Sequence, residues 1–144
     1  MKSILAAGLF LSALAAHAQD TTRYSVYVNG GTANAGHEYV TRDGDGGTKV
    51  DFVFKNNGRG PQLKEEFKVD KDGTFVRYHV VGTSTFGAAI DESFQRVGDK
   101  AQWKSTSDKG EQDVFGPALY TPLGGTPESL AVAIAALAKR SDGK

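Results

Sequence analysis

The chain has 144 residues, room for one domain of ordinary size, and carries 17 Lys and Arg against 17 Asp and Glu. That balance gives no electrostatic case for nucleic acid or an anionic membrane as partner. The absence of cysteine excludes disulfides, thiolate metal sites and a cysteine nucleophile, and 18 glycines, well above the average share of roughly 7%, point to many turns.

Residues 1–18 have the form of a signal peptide: Lys2 is a short basic start, Ile4–Ala16 is an apolar run too short to span a bilayer, and Ala16-His17-Ala18 has the small-x-small pattern of a cleavage site. The expectation is an exported protein, periplasmic or secreted, whose mature chain begins at Gln19 and carries no membrane segment. Residues 19–144 then form a single β-rich domain.

Alternation of apolar and polar residues marks the strands. Arg23–Val28 sets Tyr24, Val26 and Val28 against Ser25 and Tyr27, and Asn29-Gly30-Gly31 breaks it. Ala35–Arg42 is weaker, with His37, Tyr39 and Thr41 on one face and Glu38, Val40 and Arg42 on the other. In Val50–Lys55 the bulky Val50, Phe52 and Phe54 share a face. Leu63–Val69 repeats the pattern with Leu63, Phe67 and Val69, and Glu65 is the one polar residue in that apolar row. Phe75–Val81 carries apolar weight on both faces, which suits a central position. Thr83–Ala89 is small and polar and predicts a bend, after which Ile90–Val97, Ala101–Ser105 and Glu111–Phe115 are three further strands. Each is bounded by Gly, Asp or Asn, as at Asp70-Lys71-Asp72-Gly73, so the fold class is mainly β: an antiparallel meander, a curved sheet or half-barrel, with no βαβ units.

One helix closes the series. Thr126 suits its N-cap, Pro127 its first position and Glu128 its positive end, while Lys139 and Arg140 stand at the negative end. The row Leu130, Ile134 and Leu137, with Ala133 and Ala138, predicts a C-terminal helix packed on the apolar face of the sheet through those residues.

The chemistry-bearing motifs are few. Gly82-Thr83-Ser84-Thr85-Phe86 lacks the second glycine of a nucleophile elbow, and no phosphate loop or His-Glu-x-x-His is present. The Asp-rich turns at Asp43–Gly46 and Asp70–Gly73 lack the ligand spacing of a calcium loop and fit turn chemistry instead. His37 and His79 are too few for a zinc site, and Asp91 and Glu92, adjacent on a strand, point to opposite faces and fit solvated or salt-bridged roles. No catalytic or metal-ligating residue is assigned. As ligand-binding candidates there remain Trp103 with Tyr78 and Phe94, which could line a groove for a hydrophobic small molecule, and Arg59, which could hold an anion from its glycine-rich loop.

The stretches FKNNGRGPQLKEEFKVDKDGTFVRYHVVGTSTFGAAIDESF, QWKSTSDKGE and GPALYTPLGGTPESLAVAIAAL resemble the N-terminal region of secreted bacterial amidohydrolases. In that family a signal peptide and a β-rich leading domain precede a metal-dependent hydrolase barrel. The resemblance implies that residues 19–144 are the N-terminal part of a longer protein, and that any divalent metal and the catalytic ligands belong to the downstream barrel as partner. No position here matches the family's His-x-His pair, bridging lysine, later histidines or terminal aspartate, so no cofactor is expected in this chain. The functional expectation is a non-catalytic accessory domain, structural or substrate-positioning, with a stand-alone periplasmic module binding a hydrophobic ligand as the alternative.

Overall fold

A computed structural model describes residues 19–116 and 118–139. The signal-peptide segment, Arg140 and the residues after it lie outside the described residues. Eight strands follow one another as β1 (Asp20–Val28), β2 (Ala33–Arg42), β3 (Gly47–Phe54), β4 (Gln62–Val69), β5 (Phe75–Thr83), β6 (Ala89–Val97), β7 (Lys100–Lys104) and β8 (Lys109–Asp113), and the helix α1 spans Pro127–Ala138. The strands form one open antiparallel sheet in chain order, each paired with its sequence neighbour. Among the described residues no helix is long and apolar enough to cross a membrane.

The period-2 pattern sets the register. Val40, Val50, Phe52, Leu63, Phe67, Tyr78, Val80, Phe94 and Ala101 all turn to one face and are buried, while Lys49, Lys64, Glu66, Arg77, His79, Gln95 and Gln102 turn to the other. Phe75 reaches the core as well, because the β4–β5 register shifts at Lys68/Val69 and moves the start of β5 by one position. So β5 has one apolar face instead of two. Its exposed members are Arg77, His79 and Val81.

Asp side chains fix the turns. Asp43 Oδ1 accepts from the N–H groups of Asp45 (3.1 Å) and Gly47 (2.7 Å), and Asp70 repeats this with Asp72 (2.9 Å) and Thr74 (3.0 Å). These are Asx turns. The predicted bend after β5 is a tight turn in which Ser84 N–H donates to Ala88 O (2.8 Å). Glycine is obligatory at two ladder positions with positive φ: a Cβ on Gly36 would sit 1.8 Å from the Val53 carbonyl oxygen, and one on Gly82 would sit 2.0 Å from that of Gln62.

The helix covers the apolar face, but of the residues expected to pack there Ala133 alone is buried. Ser129, Ala133 and Ala136 are its buried residues, with Val132 partly buried against the core. Leu130 is 59% exposed and Ile134 58%, and Leu137 is exposed as well. The reason is steric: small side chains let the helix lie close to a sheet face already filled by Phe and Tyr, and the polar anchors described below fix its rotation.

Candidate functional site

Three glutamates stand on the apolar face of alternate strands: Glu65 on β4 and Glu92 on β6 in one cross-strand row, and Glu38 on β2 in the next row. A buried carboxylate is costly unless it is hydrogen-bonded. Each of these is satisfied by the segment that runs from β8 into α1. Glu92 Oε1 accepts from the Tyr120 hydroxyl and, at 3.1 Å, from Leu123 N–H. Glu65, 1% exposed, accepts from the Tyr78 hydroxyl (2.5 Å), the Thr126 hydroxyl (2.5 Å) and Thr126 N–H (3.3 Å). Glu38 accepts from Glu128 N–H at 2.9 Å.

The helix start is therefore capped twice over. Thr126 has an extended backbone, and its hydroxyl oxygen accepts from Ser129 N–H (3.3 Å) while the same hydroxyl donates to Glu65. Arg42 pairs with Glu128 at the rim. Burial, followed by the Glu65 charge, pushes the Tyr78 phenol well above its ordinary range, and burial with the Glu92 hydrogen bond does the same to Tyr120. Both phenols stay protonated and keep donating. Burial also raises the Glu38 carboxyl above its ordinary value; the Glu128 N–H offsets part of this and the charges of Glu128 and Glu65 add to it.

The aromatic candidates lie in this same region, side by side across the ladder: Tyr78 opposes Phe94, and Phe94 opposes Trp103. Tyr120 stacks on Phe94 with ring centroids 4.1 Å apart and an interplanar angle of 11°, and tilts against Tyr78 at 5.9 Å. Tyr78 and Phe94 are thus covered by the chain's own C-terminal segment. Trp103 is half-buried, its indole lies over Gly110, where a Cβ would come within 2.4 Å of the ring, and its Nε1–H donates to Asp108 at 2.9 Å. Arg59 is apart from all three. It is exposed in the β3–β4 loop, beside a polar recess shared with Lys55, Gln62, Thr83 and Phe86.

His37 lies 3.9 Å from Asp51 and His79 3.4 Å from Asp91, on separate strands. Among the described residues no group of three or more His, Cys, Asp and Glu side chains gathers as a metal site. Asp91 and Glu92 do face opposite ways: Asp91 is exposed, and Glu92 is buried, not solvated or salt-bridged, because Tyr120 and Leu123 supply its donors.

The uncovered face carries a trough of about 820 Å³ running from β4 to β8, with Glu66, Arg77, His79, Gln95, Lys104 and Lys109 among its lining. Register aligns its side chains in two cross-strand rows: Glu66, His79, Ser93, Lys104 and Lys109 in one, and Arg77, Gln95, Gln102 and Glu111 in the next. Gln102 Nε2 donates to Glu111 at 3.2 Å. No sequence motif marks this trough, since it is assembled from one or two residues of each of five strands; the signal is the polar half of each alternation.

No protein-family model, no curated protein and no solved structure matches this chain.

Proposed function

We propose that residues 19–144 form a non-catalytic accessory domain of an exported amidohydrolase-like protein, serving a structural or substrate-positioning role beside a downstream metal-dependent barrel. The observation that carries this is the helix: it is fastened to the sheet at Thr126 and Glu128, yet its largest apolar side chains, Leu130, Ile134 and Leu137, stand in solvent. An exposed apolar row on a rigidly held element is what a docking face for a neighbouring domain requires. The buried carboxylates support the same reading, because each accepts hydrogen bonds that fasten the fold. Divalent metal and catalytic ligands belong, in this proposal, to the barrel.

The test is an assay of residues 19–144 with zinc and generic amide and ester substrates. No metal-dependent turnover is expected, and turnover would overturn the proposal. A reading frame that continues beyond Lys144 into a barrel with a His-x-His motif is the second expected result. The rival, a stand-alone module holding an apolar ligand, has less room, since Tyr120 already occupies the aromatic surface it would use. Saturable change in Trp103 fluorescence on titration with apolar ligands would favour it.

A further inference from the structure

Charged residues that face each other directly in this sheet follow a rule with two exceptions. Asp20 opposes Arg42, Lys49 opposes Glu66, Asp51 opposes Lys64 and Lys100 opposes Asp113, all of opposite sign. Like charges in that position destabilise a ladder. Yet Lys68 directly opposes Arg77 across β4 and β5, and Lys104 directly opposes Lys109 across β7 and β8.

Both exceptions are cationic, and both lie at the trough on the uncovered face: Arg77, Lys104 and Lys109 line it, and Lys68 flanks Arg77. The acids nearby are already engaged. Glu66 pairs with Lys49 at 3.7 Å, and Glu111 pairs with Lys100 at 3.9 Å and accepts from Gln102. Among the described residues none of the four cations is in an ion pair.

We propose that this trough binds an acidic oligosaccharide, the two cation pairs holding carboxylate groups and the amides and hydroxyl between them holding the ring hydroxyls. The spacing fits: Arg77 and Lys104 are two strand separations apart and in neighbouring rows, ~12 Å, so the cation pairs can hold acid groups on different rings of one chain. Between them stand Ser93, Gln95 and Gln102, neutral donors and acceptors suited to hydroxyls. The chemistry disfavours a nucleic acid. Base binding needs exposed aromatic platforms, whereas Tyr78 and Phe94 are buried and Trp103 lies over Gly110, and the chain's charge is balanced overall. This inference stands apart from the amidohydrolase proposal and does not need a downstream domain.

The experiment is isothermal titration of the protein with trigalacturonate, which carries a carboxylate on each ring, at low ionic strength, alongside maltotriose as the neutral control and a single-stranded oligonucleotide. Saturable binding of trigalacturonate that weakens with salt is expected, with no binding of maltotriose. The Lys104→Gln/Lys109→Gln variant is expected to bind trigalacturonate roughly tenfold more weakly, the loss of charge-assisted hydrogen bonds at one end of the ligand. The same variant should melt at or above the wild-type temperature, because an unfavourable pair has been removed, so weak binding cannot be put down to misfolding. Absence of binding by the wild-type protein, unchanged affinity in the variant, a lower melting temperature in the variant, or oligonucleotide binding as tight as that of trigalacturonate would each overturn the proposal.

Discussion

The two faces of the sheet handle charge in opposite ways. On the covered face three glutamates sit among Val, Phe and Tyr, and every one accepts hydrogen bonds from the C-terminal segment or its neighbours. On the open face four cations stand in directly opposed pairs with no ion-pair partner among the described residues. The difference teaches where to look for function. A buried charge must be satisfied by the fold itself, so the carboxylates are spent on architecture. An exposed charge costs little to leave unmet, so the uncompensated cations are what is free to meet a ligand.

The largest expected effect breaks the covered face. Glu65→Ala removes the acceptor of the Tyr78 hydroxyl, the Thr126 hydroxyl and Thr126 N–H, all buried, and should cost about 3–5 kcal/mol in urea unfolding. A cost near that of an exposed substitution would mean that the segment is held by packing alone.

Next comes Asp70→Ala, expected to cost about 1 kcal/mol at neutral pH, a modest value because the turn is largely solvated. Burial alone would raise the Asp70 carboxyl, but hydrogen bonds from the Thr74 N–H and hydroxyl and from Asp72 outweigh it and hold the group below its ordinary 3.8. A depressed native value stabilises above the unfolded one, so the increment is present above about pH 4 and is lost as pH falls through the native value. The gap between wild type and variant should close in acid.

Glu38 runs with the opposite sign. Its carboxyl is raised above the ordinary 4.5, so ionisation in the native state opposes folding as pH climbs from that value through the raised one. Glu38→Gln keeps an acceptor for Glu128 N–H and removes the charge. It should melt at or above wild type at pH 7, with the difference vanishing below about pH 4; a variant less stable than wild type at pH 7 would contradict the burial argument.

The smallest effect sharpens the comparison at the helix. Leu130→Lys with Ile134→Lys should change stability by no more than about 0.5 kcal/mol, since both side chains are exposed. A loss of several kcal/mol in chemical unfolding would place that row against the sheet.

Much of the architecture was legible because a period of two and an Asp-Gly turn are local signals. Val50, Phe52, Leu63, Phe67 and Val80 declare their face within a few residues, and the bend at Ser84–Ala88 declares itself by composition. The helix existed in the sequence through Thr126, Pro127 and Glu128, but not its orientation. Periodicity tells that Leu130, Ile134 and Leu137 share a side; it cannot tell that a crowded sheet would rather receive Ser129, Ala133 and Ala136. Glu65 was visible as the polar intruder in an apolar row, and its partner was not, because Thr126 is distant in the chain and only the fold brings it back. The recurrence of Glu38, Glu65 and Glu92 at equal spacing was the signal that could have exposed the clasp. The trough was the least legible feature, since cross-strand opposition of Lys104 and Lys109, or of Lys68 and Arg77, exists only once the register is known.

The claim that buried carboxylates fasten the C-terminal segment to the sheet is tested most directly by a double-mutant cycle on Glu65→Ala and Thr126→Ala, followed by urea unfolding. A coupling energy of about 1–3 kcal/mol is predicted for this pair. Additivity within about 0.5 kcal/mol would show that the two side chains do not hold each other, and the account of the covered face would fall with it.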